Sequence, residues 1–145
     1  MRREDIVNLA REMKRTWHTD DPYRIAQRLG IVVLHSPSAV KDFKAQIIKA
    51  EGYPPIISIN EAYSDRAKRI LCAHELGHAI LHENCVNHFA TTSANVKTDV
   101  ELEANLFAVA LLADDDINRY LETPIEQMNN YVLKYILDYN IGQIQ

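Results

Sequence analysis

Residues 73–82 read AHELGHAILH, and this stretch decides how the rest of the chain is interpreted. It lies within residues 63–83, whose apolar positions fall on several sides of a helix, so the pattern predicts one long central helix. Residues four apart on a helix lie one turn above each other on the same face. His74 and His78 therefore point their imidazoles at one position, while Glu75 projects about 100° away beside the same cleft.

The spacing of His74, Glu75 and His78 is typical of zinc hydrolases, in which two imidazoles bind the ion and the carboxylate binds its water. Zinc lowers the pKa of that water to about 7, and the carboxylate accepts its proton as the water attacks a carbonyl. Chance gives this spacing in roughly 2% of shuffled sequences of the same composition, so two unconnected helical histidines remain an alternative. Because Gly77 costs about 1 kcal/mol relative to alanine inside a helix, we expect another element to pack closely against it.

A catalytic zinc ion has three protein ligands and an open fourth position for water. Glu101 and Glu103 are the candidates for the third ligand, because both lie near the start of an apolar helix predicted over 99–113. Asn105 lies one turn beyond Glu101, where it can hold a ligand histidine by its outer nitrogen. This placement favours Glu101, with Glu103 as the alternative, and either residue is also simply a favourable acidic group in the first turn of a helix.

His82 continues the row of His74 and His78 by one more turn. It can hold a ligand in place, contact substrate, stabilise an oxyanion or replace the third ligand. It can equally be a histidine that interacts with the C-terminal end of the helix dipole. Cys85 and His88 lie close by in the sequence, but their spacing matches no strong metal-binding pattern.

The segments that precede the central helix show helical periodicity first and strand periodicity after it. Helices are predicted over 3–17 and 22–29, and strands over 31–34, 43–47 and 56–59. The strands predict a small antiparallel sheet. We expect 56–59 to be its open edge, where an extended substrate can bind, because this strand leads directly into the metal helix.

The segments after the central helix are predicted to be helical apart from the polar stretch 87–98, which we expect to be a loop covering the cleft. A short helix is expected over 114–121. Pro124 is expected to begin a final helix with a buried stripe formed by Ile125, Met128, Val132, Tyr135, Ile136 and Tyr139.

The chain has the size of one domain, with 145 residues of which 47% are hydrophobic. Because strands and helices are segregated along the sequence, it predicts an α+β fold. The expected parts of this single domain are a helical start (2–30), a small sheet (31–60), the metal-site helices (61–113) and the C-terminal helices (114–145).

Charge and composition exclude several classes of partner. A formal net charge of −4 argues against binding to nucleic acid or anionic membranes. No apolar run is long enough to span a bilayer, and the N-terminus lacks the apolar core of a signal peptide. Cys72 and Cys85 are too few for a disulfide framework, and Cys72 is expected to be a small core residue. We therefore expect a cytoplasmic protein without direct nucleic-acid or membrane contacts.

Several stretches resemble the ImmA/IrrE family of bacterial and phage metallo-endopeptidases. They are DPYRIAQRLGI at 21–31, ISIN at 57–60, AHELGHAILH at 73–82 and ELEANLFAVALL at 101–112. The combination is far more specific than the histidine motif alone. The chain departs from the family pattern at Ala113 and Asp114, where the family usually has Met-Pro.

The resemblance implies a zincin-like fold with a gluzincin-type site that holds one Zn²⁺ per chain. In such a site His74, His78 and Glu101 are the metal ligands and Glu75 is the catalytic base. The implied function is an endopeptidase that cleaves a helix-turn-helix transcriptional repressor, relieving repression in a phage, a mobile element or a stress response. Because residues before Asp21 hold only about one helix, we expect that repressor to be a separate protein. The alternative is a non-catalytic regulatory module that sequesters a repressor.

Overall fold

The computed structural model describes residues 1–37, 44–82, 94–113 and 123–141, with the backbone alone described for 94–98. Its elements, in chain order, are α1 (Arg3–Trp17), α2 (Pro22–Arg28), β1 (Val32–Ser36), β2 (Ala45–Ile48), β3 (Ile56–Asn60), α3 (Asp65–Leu81), α4 (Ala94–Leu111), a 3-10 helix (Ile125–Gln127) and α5 (Asn130–Ile141). The α+β class is confirmed, because five α-helices accompany one small sheet in the described ranges.

The first two helices form where their capping residues predict. Asp21 caps α2 by accepting a hydrogen bond from the backbone N–H of Tyr23 at 3.0 Å, and Pro22 occupies the first helical position. Gly30 follows α2 with a φ of 76°, a left-handed conformation that glycine adopts without strain. The chain then turns directly into β1.

The sheet is mixed, so the prediction of an antiparallel sheet is only partly right. Its strand order is β1-β3-β2, with β2 antiparallel to β3 and β1 parallel to β3. The chain places β2 on one side of β3 and β1 on the other, and β1 runs in the same direction as β3. Sequence periodicity cannot distinguish these pairings, because both neighbours of β3 are short strands.

The expectation that residues 56–59 form the open edge is wrong, because β3 is the central strand. Ile57, Ser58 and Ile59 are all buried, which is the burial expected for a strand covered on both faces. The edges of the described sheet are β1 and β2. Of these, β2 adjoins the cleft described below, through Ala45 and the preceding Lys44.

The central helix is α3, which ends one turn beyond His78. Ser64 caps its start by accepting a hydrogen bond from the backbone N–H of Ala67 at 3.1 Å. The expected close packing at Gly77 is present. A Cβ added there would lie 3.2 Å from the Cα of Ala104 and 3.2 Å from the Cβ of Phe107. The missing side chain therefore lets α4 approach α3 closely.

The second long helix starts earlier than predicted. It begins at Ala94 rather than near Asp99, so the end of the expected 87–98 loop is helical. The remainder of that loop lies outside the described residues, as do the short helix expected over 114–121 and the residues Cys85 and His88. Every side chain from Ala104 to Leu112, the residue that follows α4, is buried. This half of the helix therefore lies in the core beside α3.

The C-terminal segment is broken where one continuous helix was expected. A 3-10 helix ends at Gln127, and α5 begins only at Asn130. The guanidinium of Arg3 donates a hydrogen bond to the backbone carbonyl of Glu126 at 2.7 Å, which ties this segment to α1.

The break changes which side of the last helix is buried. The predicted stripe counted residues through the break, so its helical phase no longer applies to α5. Tyr135 and Tyr139 are 62% and 76% exposed, which contradicts their predicted burial. Ile125, Met128 and Ile136 are buried as predicted, and α5 also buries Leu133, Leu137 and Ile141. None of the helices described is long and apolar enough to cross a membrane.

Candidate metal centre

Two histidines of α3 converge at one point because they are one helical turn apart. The Nε2 atoms of His74 and His78 lie 3.1 Å apart, and their rings meet nearly edge to face at an interplanar angle of 83°. His78 is almost fully buried, whereas His74 is partly open to the cleft. Two nitrogen lone pairs at this distance repel each other unless a proton or a cation lies between them.

Glu101 completes the cluster from α4. One of its carboxylate oxygens lies 3.2 Å from Nε2 of His74, and the other lies 3.2 Å from Nε2 of His78. Ligands bound at about 2.0 Å around a tetrahedral ion are separated by about 3.3 Å, which is close to these spacings. Among the described residues, His74, His78 and Glu101 form a group whose donor atoms suit a metal ion.

The two imidazoles favour the negatively charged form of Glu101, and Glu101 favours the protonated, positively charged form of His74. Burial alone disfavours the ionised form of Glu101, but its hydrogen bonds to His74 and His78 outweigh that cost and lower its pKa. Burial likewise disfavours protonated His74, yet the hydrogen bond to Glu101 and the charge of Glu75 raise the pKa of His74 overall. The cluster therefore attracts positive charge, whether a proton or a metal ion supplies it.

Glu75 lies beside this cluster in an environment that favours its neutral form. Its side chain is buried at the wall of the cleft next to His74. Burial is the largest influence and raises its pKa from 4.5 to about 7, with the attraction of His74 opposing it. A carboxyl group with a pKa near neutrality can both accept and release a proton, as general acid–base chemistry requires.

The structure separates Glu103 from the three clustered donors. Its Oε1 atom lies 3.0 Å from Nε2 of His82 instead of facing His74. His82, in turn, places its Nδ1 atom 3.1 Å from Nδ1 of His78. Glu103 and His82 therefore do not join the group of donor atoms, and both lie behind the ring of His78.

Asn105 lies beside His74, the other histidine of the group. It hydrogen-bonds to His74 and contributes to raising the pKa of that residue, so its amide oxygen accepts from the ring. Its Nδ2 atom donates to Oδ1 of Asn130, the first residue of α5, at 2.8 Å. The amide thus links the metal-site helices to the C-terminal helix.

The cluster opens into a cleft of about 450 Å³ between α3, α4, α5 and the start of β2. Its floor is apolar, with Ile70 and Leu71 on one side and Leu137 and Ile141 on the other. Four polar residues that no sequence motif indicated also line the cleft: Lys44, Asn130, Lys134 and Asp138.

Only one sequence signal pointed to any of these four residues. Lys134 and Asp138 are four residues apart on α5, and their side chains pair at 3.0 Å. Lys44 lies farther from the same carboxylate, at 3.9 Å. Such a pair is common on exposed helix faces, and its position beside the cleft follows only from the packing of α5.

The fold and this group of residues define a metallopeptidase-like domain. Residues 26–133 match the family of peptidases described as the IrrE N-terminal-like domain, whose members are of the metallo type, and the chain belongs to that family. The resemblance inferred from the sequence motifs is thereby confirmed.

A phage protein is also similar to this chain. Over 100 residues the chain is 32% identical to "Uncharacterized immunity region protein 2" of Bacillus phage phi105. The aligned part covers 68% of this chain and 62% of the phage protein, so the chain spans less than two thirds of that relative.

Proposed function

We propose that this protein is a zinc-dependent endopeptidase that cleaves a separate helix-turn-helix repressor. The observation that carries the proposal is the convergence of two imidazole nitrogens and one carboxylate at spacings of 3.1 and 3.2 Å, with Glu75 at the wall of the same cleft. This donor set leaves one position of a tetrahedral ion open for water, as in catalytic zinc sites and unlike closed structural ones.

In this proposal His74, His78 and Glu101 hold one Zn²⁺ per chain. Bound zinc would supply an acidified water and polarise the carbonyl that is attacked. The ionised form of Glu101, which its hydrogen bonds to the two histidines favour, suits the charge of such an ion. Asn105 orients His74 by accepting from its ring, which leaves Nε2 of that ring free to bind.

Glu75 is the proposed general base. Its burial raises its pKa to about 7, so near neutral pH it accepts a proton from water and can return it to the leaving amine. The Glu75→Gln variant keeps the size and polarity of the side chain but cannot accept that proton. It therefore separates metal binding from chemistry.

We place the substrate along β2, in place of the β3 edge expected from the sequence. β2 is an edge strand of the described sheet and adjoins the cleft through Ala45. Its backbone can add an extended peptide through hydrogen bonds that do not depend on the peptide's sequence. The apolar floor beneath then receives a side chain of that peptide.

A helix-turn-helix repressor is the proposed substrate class for two reasons. The family that the chain resembles is known for cleaving such repressors, and one similar protein carries the name of a phage immunity region. The net charge of −4 argues against direct binding to the repressor's DNA, so the protein itself is the target.

The test uses zinc-loaded protein and candidate helix-turn-helix repressors, sought first among the proteins encoded beside its gene. We expect mass spectrometry to detect a new N-terminus in the repressor after incubation with wild type. Glu75→Gln should retain about one zinc per chain and produce no cleavage. An intact repressor in a stoichiometric complex with wild type would overturn the peptidase proposal and support the alternative, a regulatory module that sequesters its partner.

A further inference from the structure

Two contacts, one buried and one part-buried, lead away from the candidate metal centre behind His78. Nδ1 of His78 lies 3.1 Å from Nδ1 of His82, and Nε2 of His82 lies 3.0 Å from Oε1 of Glu103. Both histidines are buried, whereas the Glu103 side chain keeps 26% of its surface exposed. These three side chains thus form a continuous row from the candidate ligand to the edge of the protein.

We propose that His82 and Glu103 are positioning residues that hold His78 in the one tautomer able to bind the metal through Nε2. The inference rests on the proposed metal site and deepens it, because it assigns a role to two side chains that do not reach the ion. His82 and Glu103 act on the metal only through His78.

The assignment follows from counting protons along the row. A neutral imidazole has one N–H and one lone pair, so binding a metal through Nε2 of His78 requires the proton on Nδ1. Nδ1 of His78 then donates to Nδ1 of His82, which must carry a lone pair. The proton of His82 consequently lies on Nε2, where it is donated to the carboxylate of Glu103.

Glu103 is the group that fixes the direction of this row. A carboxylate only accepts hydrogen bonds, so it holds the His82 proton on Nε2. Without it, His82 can carry its proton on Nδ1 and direct that N–H at His78. His78 would then accept at Nδ1 and carry its own proton on Nε2, the atom that must bind the metal.

The backbone around His82 restrains the middle of the row. Its N–H donates to the carbonyl of His78 at 2.9 Å, and its own carbonyl accepts from Nζ of Lys49 at 2.9 Å. The end of α3 is therefore fixed to the segment that links β2 with β3. These contacts hold the backbone of His82 in place, and its two ring contacts, with His78 and Glu103, set the orientation of the ring.

The two candidate histidine ligands are supported differently. A neutral amide, Asn105, accepts from His74, whereas a charged carboxylate supports His78 through a second imidazole. Loss of Glu103 should therefore disturb His78 and leave the tautomer of His74 unchanged. This difference provides an internal control within each sample.

The experiment measures zinc affinity by chelator competition and histidine tautomers by long-range ¹H–¹⁵N NMR, both without substrate. Glu103→Ala should raise the zinc dissociation constant about 10- to 100-fold, the usual effect of removing a group that orients a metal ligand. His82→Phe should have a similar effect. Glu103→Gln, whose amide oxygen still accepts from His82, should retain more affinity than Glu103→Ala. Glu61→Ala, an exposed glutamate outside the row, should match wild type.

The tautomers and a double variant provide the decisive outcomes. In wild type, both metal-free and zinc-loaded, we expect the proton of His78 on Nδ1 and that of His82 on Nε2. In metal-free Glu103→Ala, the His82 proton should shift toward Nδ1. Because the residues act in series, adding Glu103→Ala to His82→Phe should weaken zinc binding no further.

Three results would overturn the proposal: an unchanged dissociation constant in Glu103→Ala, wild-type His82 protonated on Nδ1, or fully additive losses in the double variant. Circular dichroism of each variant distinguishes these results from loss of folding. A wild type that binds no zinc would overturn both this proposal and the proposed function. Zinc binding with the expected tautomers but no peptide cleavage would overturn the peptidase alone.

Discussion

The carboxyl group of Glu75 combines two properties that conflict in an ordinary core residue. It is buried beside apolar neighbours, yet it must ionise if it is to accept a proton from water. Burial raises its pKa to about 7, so the folded protein holds a proton there that the unfolded chain releases at lower pH. A functional group of this kind should therefore reduce stability at neutral pH.

This conflict predicts the pH dependence of stability for metal-free protein. Between pH 4.5, the ordinary value, and about 7, the folded state binds more protons at Glu75 than the unfolded state does. The contribution of Glu75 to the free energy of unfolding therefore falls as pH rises through this window, by up to about 3 kcal/mol. Urea unfolding in EDTA should show Glu75→Gln more stable than wild type at pH 8 and equal to it near pH 4.5.

The matched control for this prediction is Glu61→Gln, which changes an exposed carboxyl group in the same way. It should follow the wild-type pH dependence throughout. If Glu75→Gln keeps the full wild-type slope, the raised pKa of Glu75 does not exist in solution.

Local geometry explains why the residues of the site were easier to predict from sequence than their partners. His74, Glu75 and His78 lie within one helical turn, so the helix alone determines their arrangement. Whether Glu101 or Glu103 joins them depends on how α4 crosses α3, which no local pattern records. Asn105 was the useful clue, since its hydrogen bond to His74 places the same face of α4 toward the cluster.

At the scale of elements, the close approach of α4 to α3 at Gly77 positions Glu101. An added Cβ would lie 3.2 Å from the Cα of Ala104, which is backbone and cannot move without the helix. Alanine gains about 1 kcal/mol of helix propensity over glycine, but the tight contact opposes this gain. We judge the contact to be the larger effect, because the buried side chain of Phe107 on the same helix is equally close.

Gly77→Ala should therefore lower the free energy of unfolding by about 1–3 kcal/mol, the usual cost of overpacking. It should also weaken zinc binding, because displacement of α4 moves Glu101 away from the histidines. Denaturant titration and chelator competition measure the two effects. Gly77→Val should be more severe in both, and a Gly77→Ala variant more stable than wild type would show that the helices separate without cost.

The sheet permits a test of where the substrate binds. The backbone N–H of Asn60 donates to the carbonyl of Lys44, so alternate residues of β2 point their backbone groups toward β3. By this alternation Gln46 faces β3, whereas the N–H groups of Ala45 and Ile47 face the open edge. Proline removes a backbone donor and is tolerated on edges where that donor is not paired.

Ala45→Pro should preserve zinc content and circular dichroism but reduce cleavage of the repressor at least tenfold, through loss of a hydrogen bond to the substrate. Gln46→Pro is the matched control, since it removes a ladder hydrogen bond and should instead destabilise the fold. The measurements are cleavage rate, metal content and thermal unfolding of each variant. Full cleavage by folded Ala45→Pro would exclude β2 as the substrate edge.

The edge position expected for β3 and the burial expected for Tyr135 and Tyr139 are wrong for the same reason. The position of β3 at the centre depends on pairing with a strand more than twenty residues earlier, and short strands carry no signal for their partners. The exposure of Tyr135 and Tyr139 follows from the break before Asn130, which shifted the helical phase. Each element was expected in roughly the right place, but its neighbours depended on contacts distant in sequence.

For the whole molecule, the candidate metal centre links parts of the chain that are distant in sequence. His78 and Glu101 belong to different helices, and Asn105 extends the connection to α5 through Asn130. An ion held by these residues favours the folded state, in which the donors are close together. In the unfolded chain they are separated and bind it weakly.

Zinc should therefore raise the free energy of unfolding by an amount set by its concentration relative to the dissociation constant. At 100 times that constant the gain is about 2.7 kcal/mol, measured by urea unfolding with zinc and with EDTA. Glu101→Ala should lose most of this gain, whereas Glu61→Ala should keep it. Glu103→Ala should show a smaller gain than wild type at the same zinc concentration, because its ligand histidine is less well oriented. Equal gains in wild type and Glu101→Ala would mean that zinc stabilises the fold from another site.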